Sequence, residues 1–194
     1  MRVAACILVG GQGTRMGGAV KPLLEWRGRA IIERTLDVLT PRFSELTLVG
    51  GEPATFRHLS CPHLPDEREH AGPLAGLAAA LSWCSGTHLF AFAGDMPSLS
   101  GEVVDYMLAE LHENPELALM VLRDDQGRFQ PLHALYSVAL VGQAQGALER
   151  GELALQRFVS GVEGEKRVLP LEHLPESARD GQFLRNVNHA SDLD

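Results

Sequence analysis

A chain of 194 residues with 45% hydrophobic content can form one sizeable core but is short for two enzymatic domains, so we predict a single domain over residues 1–194. The net charge of −8 argues against nucleic acid or an anionic membrane as a partner. The apolar N-terminal run is too short for a signal peptide or a membrane helix, and no other segment suits a membrane span. Three scattered cysteines do not form a disulfide framework, which favours a reducing, cytoplasmic location.

Apolar stretches of strand type and helix type alternate along the chain. Residues 3–9 form a continuous apolar run that two glycines stop, which is typical of a strand buried on both faces. By the same criteria, we predict further strands over residues 46–49, 89–93, 117–122 and 134–136, and near 183–187. Helices are predicted over residues 30–39, 74–83, 102–112, 139–149 and 153–159. The alternation predicts a three-layer α/β domain with helices on both faces of a mostly parallel sheet.

The loop after the first strand is unusual, and ligands of such sheets bind where strands end. Residues 8–22 read LVGGQGTRMGGAVKP, with five glycines within nine residues. Glycines let backbone N–H groups turn inward as an anion nest, while Arg15 and Lys21 add positive charge. A triphosphate needs both kinds of donor, so the loop predicts phosphate binding. The pattern fits neither a P-loop nor a dinucleotide fingerprint, and spacing alone leaves a flexible surface loop as the alternative.

The same segment resembles the LxGGxSxRMGxxK signature of the MobA-like nucleotidyltransferases. Three later segments resemble that family in order, namely DEREHAGPLAG at 66–76, FAGDMP at 92–97 and NVNHASDL at 186–193. The resemblance implies a Rossmann-like domain, similar to the nucleotide-diphospho-sugar transferases, that transfers GMP from GTP to molybdopterin and releases pyrophosphate. It also implies Mg²⁺ as cofactor and a molybdoenzyme or a cofactor-insertion chaperone as recipient of the product. We expect a monomer.

Asp95 directly follows the predicted strand 89–93, so its carboxylate is expected at the carboxyl edge of the sheet. Mg²⁺ typically takes one or two carboxylates and completes its shell with water and phosphate oxygens. By resemblance, Asp95 is the Mg²⁺ ligand of the family, whereas its position alone, without the glycine loop, favours a helix N-cap or a turn. The acceptor phosphate is itself a nucleophile, so the reaction needs alignment and charge neutralisation. We therefore predict Arg15, Lys21 and Asp95 as the catalytic residues.

Base recognition is predicted at the end of the first strand and at the segment 66–76. Guanine offers N1–H and N2–H₂ donors, which a carboxylate or backbone carbonyls accept, and small residues allow close approach. Asp66 is one such carboxylate, although it also fits a solvated acid in a charged run. The predicted nucleotide site comprises Leu8, Val9, Gly10, Gly11, Gly13, Arg15, Lys21, Asp66, Gly72, Pro73 and Asp95.

Two segments depart from the family pattern. The family often places an asparagine after the second strand, where this chain has Val49-Gly50-Gly51. The stretch 128–136 resembles a family segment in which histidine often precedes the proline, and here that residue is Gln130. We predict acceptor contacts at Gln130, His133 and Asn188.

Two rival functions remain open from the sequence. A sister class that transfers CMP commonly reads LAAG in the first loop and GDQP at the metal aspartate, so Gly10-Gly11 and Met96 favour guanine here. A non-catalytic adaptor that binds nucleotide or molybdopterin would keep the glycine loop and dispense with the metal. Lys21 and Asp95 together favour catalysis. Sugar-phosphate nucleotidyltransferases are usually longer, with an appended domain.

Overall fold

The computed structural model of the protein describes residues 1–10, 20–65, 72–187 and 192. Within this part of the chain, the strands are β1 (Val3–Leu8), β2 (Glu25–Trp26), β3 (Arg29–Ala30), β4 (Leu46–Val49), β5 (His63–Leu64), β6 (His88–Ala93), β7 (Leu119–Arg123), β8 (Phe129–Ser137) and β9 (Lys166–Pro170). The α-helices are α1 (Ile31–Leu39), α2 (Pro53–Phe56), α3 (Gly72–Trp83), α4 (Gly101–Glu113), α5 (Val141–Glu149) and α6 (Leu155–Gly161).

Seven of these strands form one sheet in the order β5-β4-β1-β6-β8-β7-β9. β1 lies between β4 and β6 and runs parallel to both, and β7 and β9 are also parallel. β8 runs antiparallel to its neighbours β6 and β7. Because an antiparallel strand begins where its neighbour ends, the first residues of β8 lie at the same edge as the carboxyl end of β6. The carboxyl ends of β1 and β6 and the beginning of β8 therefore all lie at this edge of the sheet.

Helices cover both faces of the sheet, and alternate residues of β1 divide the core between the two faces. Ala4, Cys6 and Leu8 are buried in one apolar cluster with residues of α3, α5 and α6. Ala5 and Ile7 are buried in a second cluster with residues of α1 and α4. Strands buried on both faces need continuous apolar sequence, which is the pattern of β1. The predicted three-layer α/β architecture with a mostly parallel sheet is confirmed.

The helix boundaries follow from local sequence. α1 buries Ile31, Ile32, Thr35 and Leu39 on one stripe at helical spacing. α4 begins after Ser100, whose hydroxyl accepts a hydrogen bond from the Val103 N–H at 3.3 Å, as an N-cap does. In the part of the chain that the structure describes, no helix combines the length and apolar character needed to cross a membrane.

The predicted strand near 183–187 is wrong. A 3-10 turn occupies Gln182–Leu184, and residues 185–187 after it form no regular element. Phe183 and Val187 are buried, so the apolar residues there reflect packing of an irregular segment. Sequence reasoning also missed β9, an edge strand that pairs only with β7. Its five residues bury only Leu169 fully, which leaves no apolar run to recognise.

Candidate active site

Lys21 and Asp95, 74 residues apart in sequence, meet at the carboxyl edge of the sheet. The Lys21 Nζ atom lies 3.4 Å from Asp95 Oδ2, and the two side chains are 24% and 22% exposed. Lys21 opens the 3-10 turn Lys21–Leu23 downstream of β1, and Asp95 stands just past β6. The turn that carries Lys21 packs on the end of β6, since a Cβ atom at Gly94 would lie 3.0 Å from Pro22 Cγ, and this contact brings the two side chains together. The structure thus brings together two of the three predicted catalytic residues.

The Asp95 carboxyl lies in an environment that disfavours an isolated negative charge. Burial raises its pKa, and the Lys21 ammonium partly offsets this effect. A carboxylate that is costly to ionise gains from an additional cation close to its oxygens. The pair therefore suits a site where a divalent metal or a cationic side chain supplies positive charge.

The backbone around Asp95 is held by close contacts on both sides. The Gly94 N–H donates to the Leu8 carbonyl at 2.9 Å, and the Val187 N–H donates to the Asp95 carbonyl at 3.0 Å. A Cβ atom at Gly94 would lie 3.0 Å from both the Leu8 oxygen and Pro22 Cγ. Glycine is needed here because β1, β6 and the Lys21 turn approach one another so closely.

The predicted base side is formed by the ends of β1 and β4 and by the start of α3. Gly10 is exposed, while Leu8 and Val9 are buried, and the Val9 N–H donates to the Val49 carbonyl at 2.9 Å. Gly72 and Pro73 are exposed at the first turn of α3. One helical turn later, a Cβ atom at Gly76 would lie 3.3 Å from Leu8 Cδ2, so α3 packs directly on the end of β1. The predicted site residues that the structure describes on this side are therefore neighbours.

Five predicted site residues lie outside the described residues. They are Gly11, Gly13, Arg15, Asp66 and Asn188. Their roles stay predictions.

A polar cleft of about 460 Å³ lies at the turn between β7 and β8, and Asn186 in its lining directly precedes Val187, whose N–H donates to the Asp95 carbonyl. Gln130, Arg128, Arg185 and Asn186 line it. Asp124 organises its mouth, since its carboxylate accepts from the Arg128 N–H, from Arg128 Nε and from Gln130 Nε2, each at 2.9 Å. Burial acts to raise the pKa of Asp124, but the hydrogen bonds from Arg128 hold this pKa below its ordinary value. The cleft places the Gln130 amide close to the edge that carries Asp95.

His133 lies in the core, so the prediction that it contacts the acceptor is wrong. Its side chain is fully buried, with ring centroids 5.2 to 5.6 Å from those of Phe90, Phe92 and Phe183. Neither ring nitrogen has a hydrogen-bond partner among the described residues, and burial lowers the pKa of His133 to about 3. Helices cover both faces of the sheet, so residues 133–136 of β8 are all buried, and His133 lies on the face that carries Phe90 and Phe92.

Comparison with known proteins agrees with this geometry. Residues 5–167 match the model of the MobA-like NTP transferase domain. The chain belongs to the MobA-like NTP transferase family. It is 33% identical to a probable molybdenum cofactor guanylyltransferase of Thermococcus gammatolerans, over 96% of this chain and 95% of that protein. A protein of the same name from Methanosarcina mazei is 34% identical over 77% of this chain and 70% of its own length.

A solved structure shares the fold of this MobA-like NTP transferase. Molybdopterin-guanine dinucleotide biosynthesis protein A of Archaeoglobus fulgidus superposes with a TM-score of 0.80 at 23% identity, over all of this chain and 95% of that one. The family predicted from the glycine loop is confirmed, and with it the assignment as a nucleotidyltransferase.

The segment after β4, where the family often has an asparagine, is built here from two glycines with positive φ. Gly50 has φ +78° and Gly51 φ +70°, and a Cβ atom at Gly51 would lie 3.3 Å from the Val9 carbonyl oxygen. His63 lies across the turn, with Nε2 2.7 Å from the Gly50 carbonyl oxygen. Backbone of Gly50 and Gly51 therefore lies beside the end of β1, where the family often has an asparagine. His63, which no sequence motif indicated, contacts this backbone through its hydrogen bond with Gly50.

Gly94→Ala tests the close packing behind Asp95. We expect the added methyl group to separate the Lys21 turn from the end of β6, which would lower the transfer rate about ten-fold and the free energy of unfolding by about 1 kcal/mol. Rate assays and urea unfolding measure the two effects. Gly142→Ala in α5 is the matched control, because a Cβ atom there meets nothing within 4 Å. Equal effects of the two substitutions would contradict the packing argument.

Proposed function

We propose that this MobA-like NTP transferase transfers GMP from GTP to the phosphate of molybdopterin, forming the molybdopterin guanine dinucleotide cofactor and releasing pyrophosphate. The observation that carries the proposal is the contact between Lys21 and Asp95 at the edge where β1 and β6 end. The names of the two relatives support the choice of guanine and of molybdopterin.

The residues present fit a bound Mg²⁺. Asp95 offers a partly buried carboxylate whose raised pKa makes a nearby cation favourable. Within the described residues, no group of three or more His, Cys, Asp or Glu side chains could hold a metal. Mg²⁺ commonly binds through one or two carboxylates plus substrate phosphates, so Asp95 would hold it together with the nucleotide. When bound, Mg²⁺ neutralises charge on the phosphate oxygens and helps to orient them.

The transfer is a displacement at the α-phosphorus of GTP. An oxygen of the acceptor phosphate forms the new bond to this phosphorus, while the bond to the bridging oxygen breaks and pyrophosphate leaves. Arg15 and Lys21 would supply positive charge for the leaving group, and Asp95 would hold the metal. These groups act through position and charge, so no covalent enzyme intermediate is required.

The polar cleft beside Gln130 is the place for the acceptor. Gln130 and Asn186 carry amides that both donate and accept, which suits a polar heterocycle with donors and acceptors on its edge. The Asp124 carboxylate accepts a hydrogen bond from the Gln130 amide at 2.9 Å and thereby orients it. Asn188 continues this segment as a predicted contact. The cytoplasmic location, the monomeric state and the recipient of the product stay predictions.

Pyrophosphate release tests the proposed function. With Mg²⁺ and molybdopterin, we expect release from GTP to exceed release from CTP or ATP by about a hundred-fold or more, because a site that bonds the guanine edge leaves polar groups unpaired with another base. Omission of molybdopterin is the control and should abolish release. Preference for CTP would replace GMP by CMP in the proposal, and nucleotide binding without release would favour the adaptor.

A further inference from the structure

A second cleft, of about 540 Å³, lies next to the candidate active site but is lined by different residues. One side is the hairpin formed by β2 and β3, with Trp26 and Arg27, and another is Arg34 of α1. The third side is the chain segment that directly follows Asp95, including Pro97 and Leu99. We call this space the arginine cleft.

Two of the three guanidinium groups in the arginine cleft have no acidic partner among the described residues. Arg29 is paired with Asp37 and Glu33, so its charge is compensated. Arg27 and Arg34 instead stack on Trp26, with the guanidinium carbon atoms 4.4 and 4.8 Å from the ring centroid. The lining thus carries three arginines and one acid, Asp37, which pairs with Arg29, so the cleft is locally positive in a chain of net charge −8.

The two stacked arginines are arranged as hydrogen-bond donors toward a ligand. Stacking uses the flat face of a guanidinium and leaves the N–H groups in its plane available, in a geometry that matches a carboxylate or a phosphate. Arg34 Nε is buried and has no hydrogen-bond partner within the part of the chain that the structure describes. Arg27 and Gly28 have φ of +51° and +79°, as the two-residue turn of the β2–β3 hairpin requires, and this turn places Arg27 next to Trp26.

The walls of the arginine cleft indicate the class of ligand. An apolar wall beside the guanidinium groups is formed by Val38, Pro97 and Leu99. A free phosphate would not contact this wall. The Trp26 ring already carries two guanidinium groups, so it is not offered to a nucleobase. A ligand that uses both parts of the cleft carries an apolar group flanked by anionic groups.

We propose that the arginine cleft docks an acidic segment of a partner protein, in which an apolar side chain lies between Asp or Glu residues. The apolar side chain packs on Val38 and Leu99, which are half-buried, and the carboxylates pair with Arg27 and Arg34. The docked segment then touches the chain that follows Asp95, which brings the partner next to the candidate active site. The proposal goes beyond the transfer reaction and does not depend on it.

The intrinsic fluorescence of Trp26 provides a direct measurement. The chain has two tryptophans, so Trp83→Phe leaves Trp26 as the only reporter. The probe is an acetylated, amidated peptide Glu-Asp-Leu-Asp-Glu, with Gln-Asn-Leu-Asn-Gln as its uncharged counterpart. We expect a saturable change in Trp26 emission with the acidic peptide, at a Kd between about 10 and 500 µM, and a Kd at least about ten times higher for the uncharged peptide.

Variants of the same single-tryptophan protein assign the contacts. Arg34→Gln and Arg27→Gln are each expected to raise the Kd about ten-fold, the effect of losing one charge-assisted hydrogen bond. Arg157→Gln is the matched control, since Arg157 is 83% exposed and is not part of the cleft, and it should leave the Kd unchanged. The urea midpoint of Arg34→Gln, measured without peptide, should stay close to that of wild type, which shows that the variant is folded.

Four results would overturn the proposal. They are the absence of saturation up to about 5 mM acidic peptide, equal binding of the uncharged peptide, an equal loss of affinity in Arg157→Gln, and the same emission change with inorganic phosphate or pyrophosphate at the same concentration. The last result would identify a site for free oxyanions. None of these results bears on guanylyl transfer, so the two proposals fail separately.

Discussion

Asp95→Asn is expected to lower the rate of guanylyl transfer at least about a thousand-fold, which corresponds to about 4 kcal/mol of transition-state stabilisation. The amide keeps the shape of the carboxyl group but loses the negative charge that would hold Mg²⁺ beside the phosphates. The measurement is pyrophosphate release from GTP in the presence of Mg²⁺ and molybdopterin. A variant that retains more than about a tenth of the wild-type rate would exclude Asp95 as the metal ligand.

The same substitution should not weaken the fold. Burial raises the pKa of Asp95, so ionisation of this carboxyl is less favourable in the folded protein than in the unfolded chain. The folded protein therefore loses stability as the pH rises from the ordinary pKa of the carboxyl to its raised pKa. At neutral pH, Asp95→Asn is therefore expected to unfold at the same urea concentration as wild type or at a higher one. Asp105→Asn is the matched control, since it removes an exposed carboxylate that pairs with Arg42 outside the site. It should leave the rate unchanged and, because the pair with Arg42 is bidentate, lower the free energy of unfolding by at most about 1 kcal/mol.

His133→Phe is expected to remove much of the acid sensitivity of the fold. The imidazole of His133 is fully buried with a pKa of about 3, compared with an ordinary value of 6.5. Below pH 6.5 the unfolded chain binds a proton at this histidine, whereas the folded chain does not bind it until about pH 3. The contribution of His133 to the free energy of unfolding is therefore complete above pH 6.5 and is lost as the pH decreases toward 3. The expected slope is about 1.4 kcal/mol per pH unit, or about 2 kcal/mol between pH 6.5 and pH 5.

Urea unfolding at pH 7.5 and at pH 5 measures this effect. The gain in stability of His133→Phe over wild type should be about 2 kcal/mol larger at pH 5 than at pH 7.5, because at pH 7.5 only the cost of the unpaired ring nitrogens is removed. His58→Gln is the control, because His58 is exposed. An identical pH dependence in His133→Phe and wild type would show that His133 has a polar partner in solution.

Asp95 and His133 differ in how far local sequence determines where each residue lies. Asp95 was predicted from a local pattern, a buried apolar run ending in Gly-Asp-x-Pro, and its position at the sheet edge needed no long-range information. His133 was placed at the acceptor because its neighbours resemble a family segment. Burial of a histidine depends on which face of β8 meets Phe90, Phe92 and Phe183, and sequence spacing does not carry that information.

Local sequence was sufficient for the long elements β1, α1, β4, α3, β6 and α4, because buried strands require continuous apolar runs and amphipathic helices a period near 3.6. It did not indicate the short elements β2, β3, α2 and β5, which have too few residues to show a period. The glycine loop and the family can also be recognised from sequence, because phosphate binding needs hydrogen-bond donors that lie close together in the chain. Tertiary structure decided the contacts between distant segments. Lys21 contacts Asp95 only because β1 and β6 pair in parallel and the turn that carries Lys21 packs on the end of β6. The edge strand β9 forms only because it pairs with β7. Arg27 and Arg34 both contact Trp26 only when the hairpin packs beside α1. Such pairings minimise the free energy of the whole chain, and for Lys21 with Asp95 and for β7 with β9 no short window of sequence contains both partners.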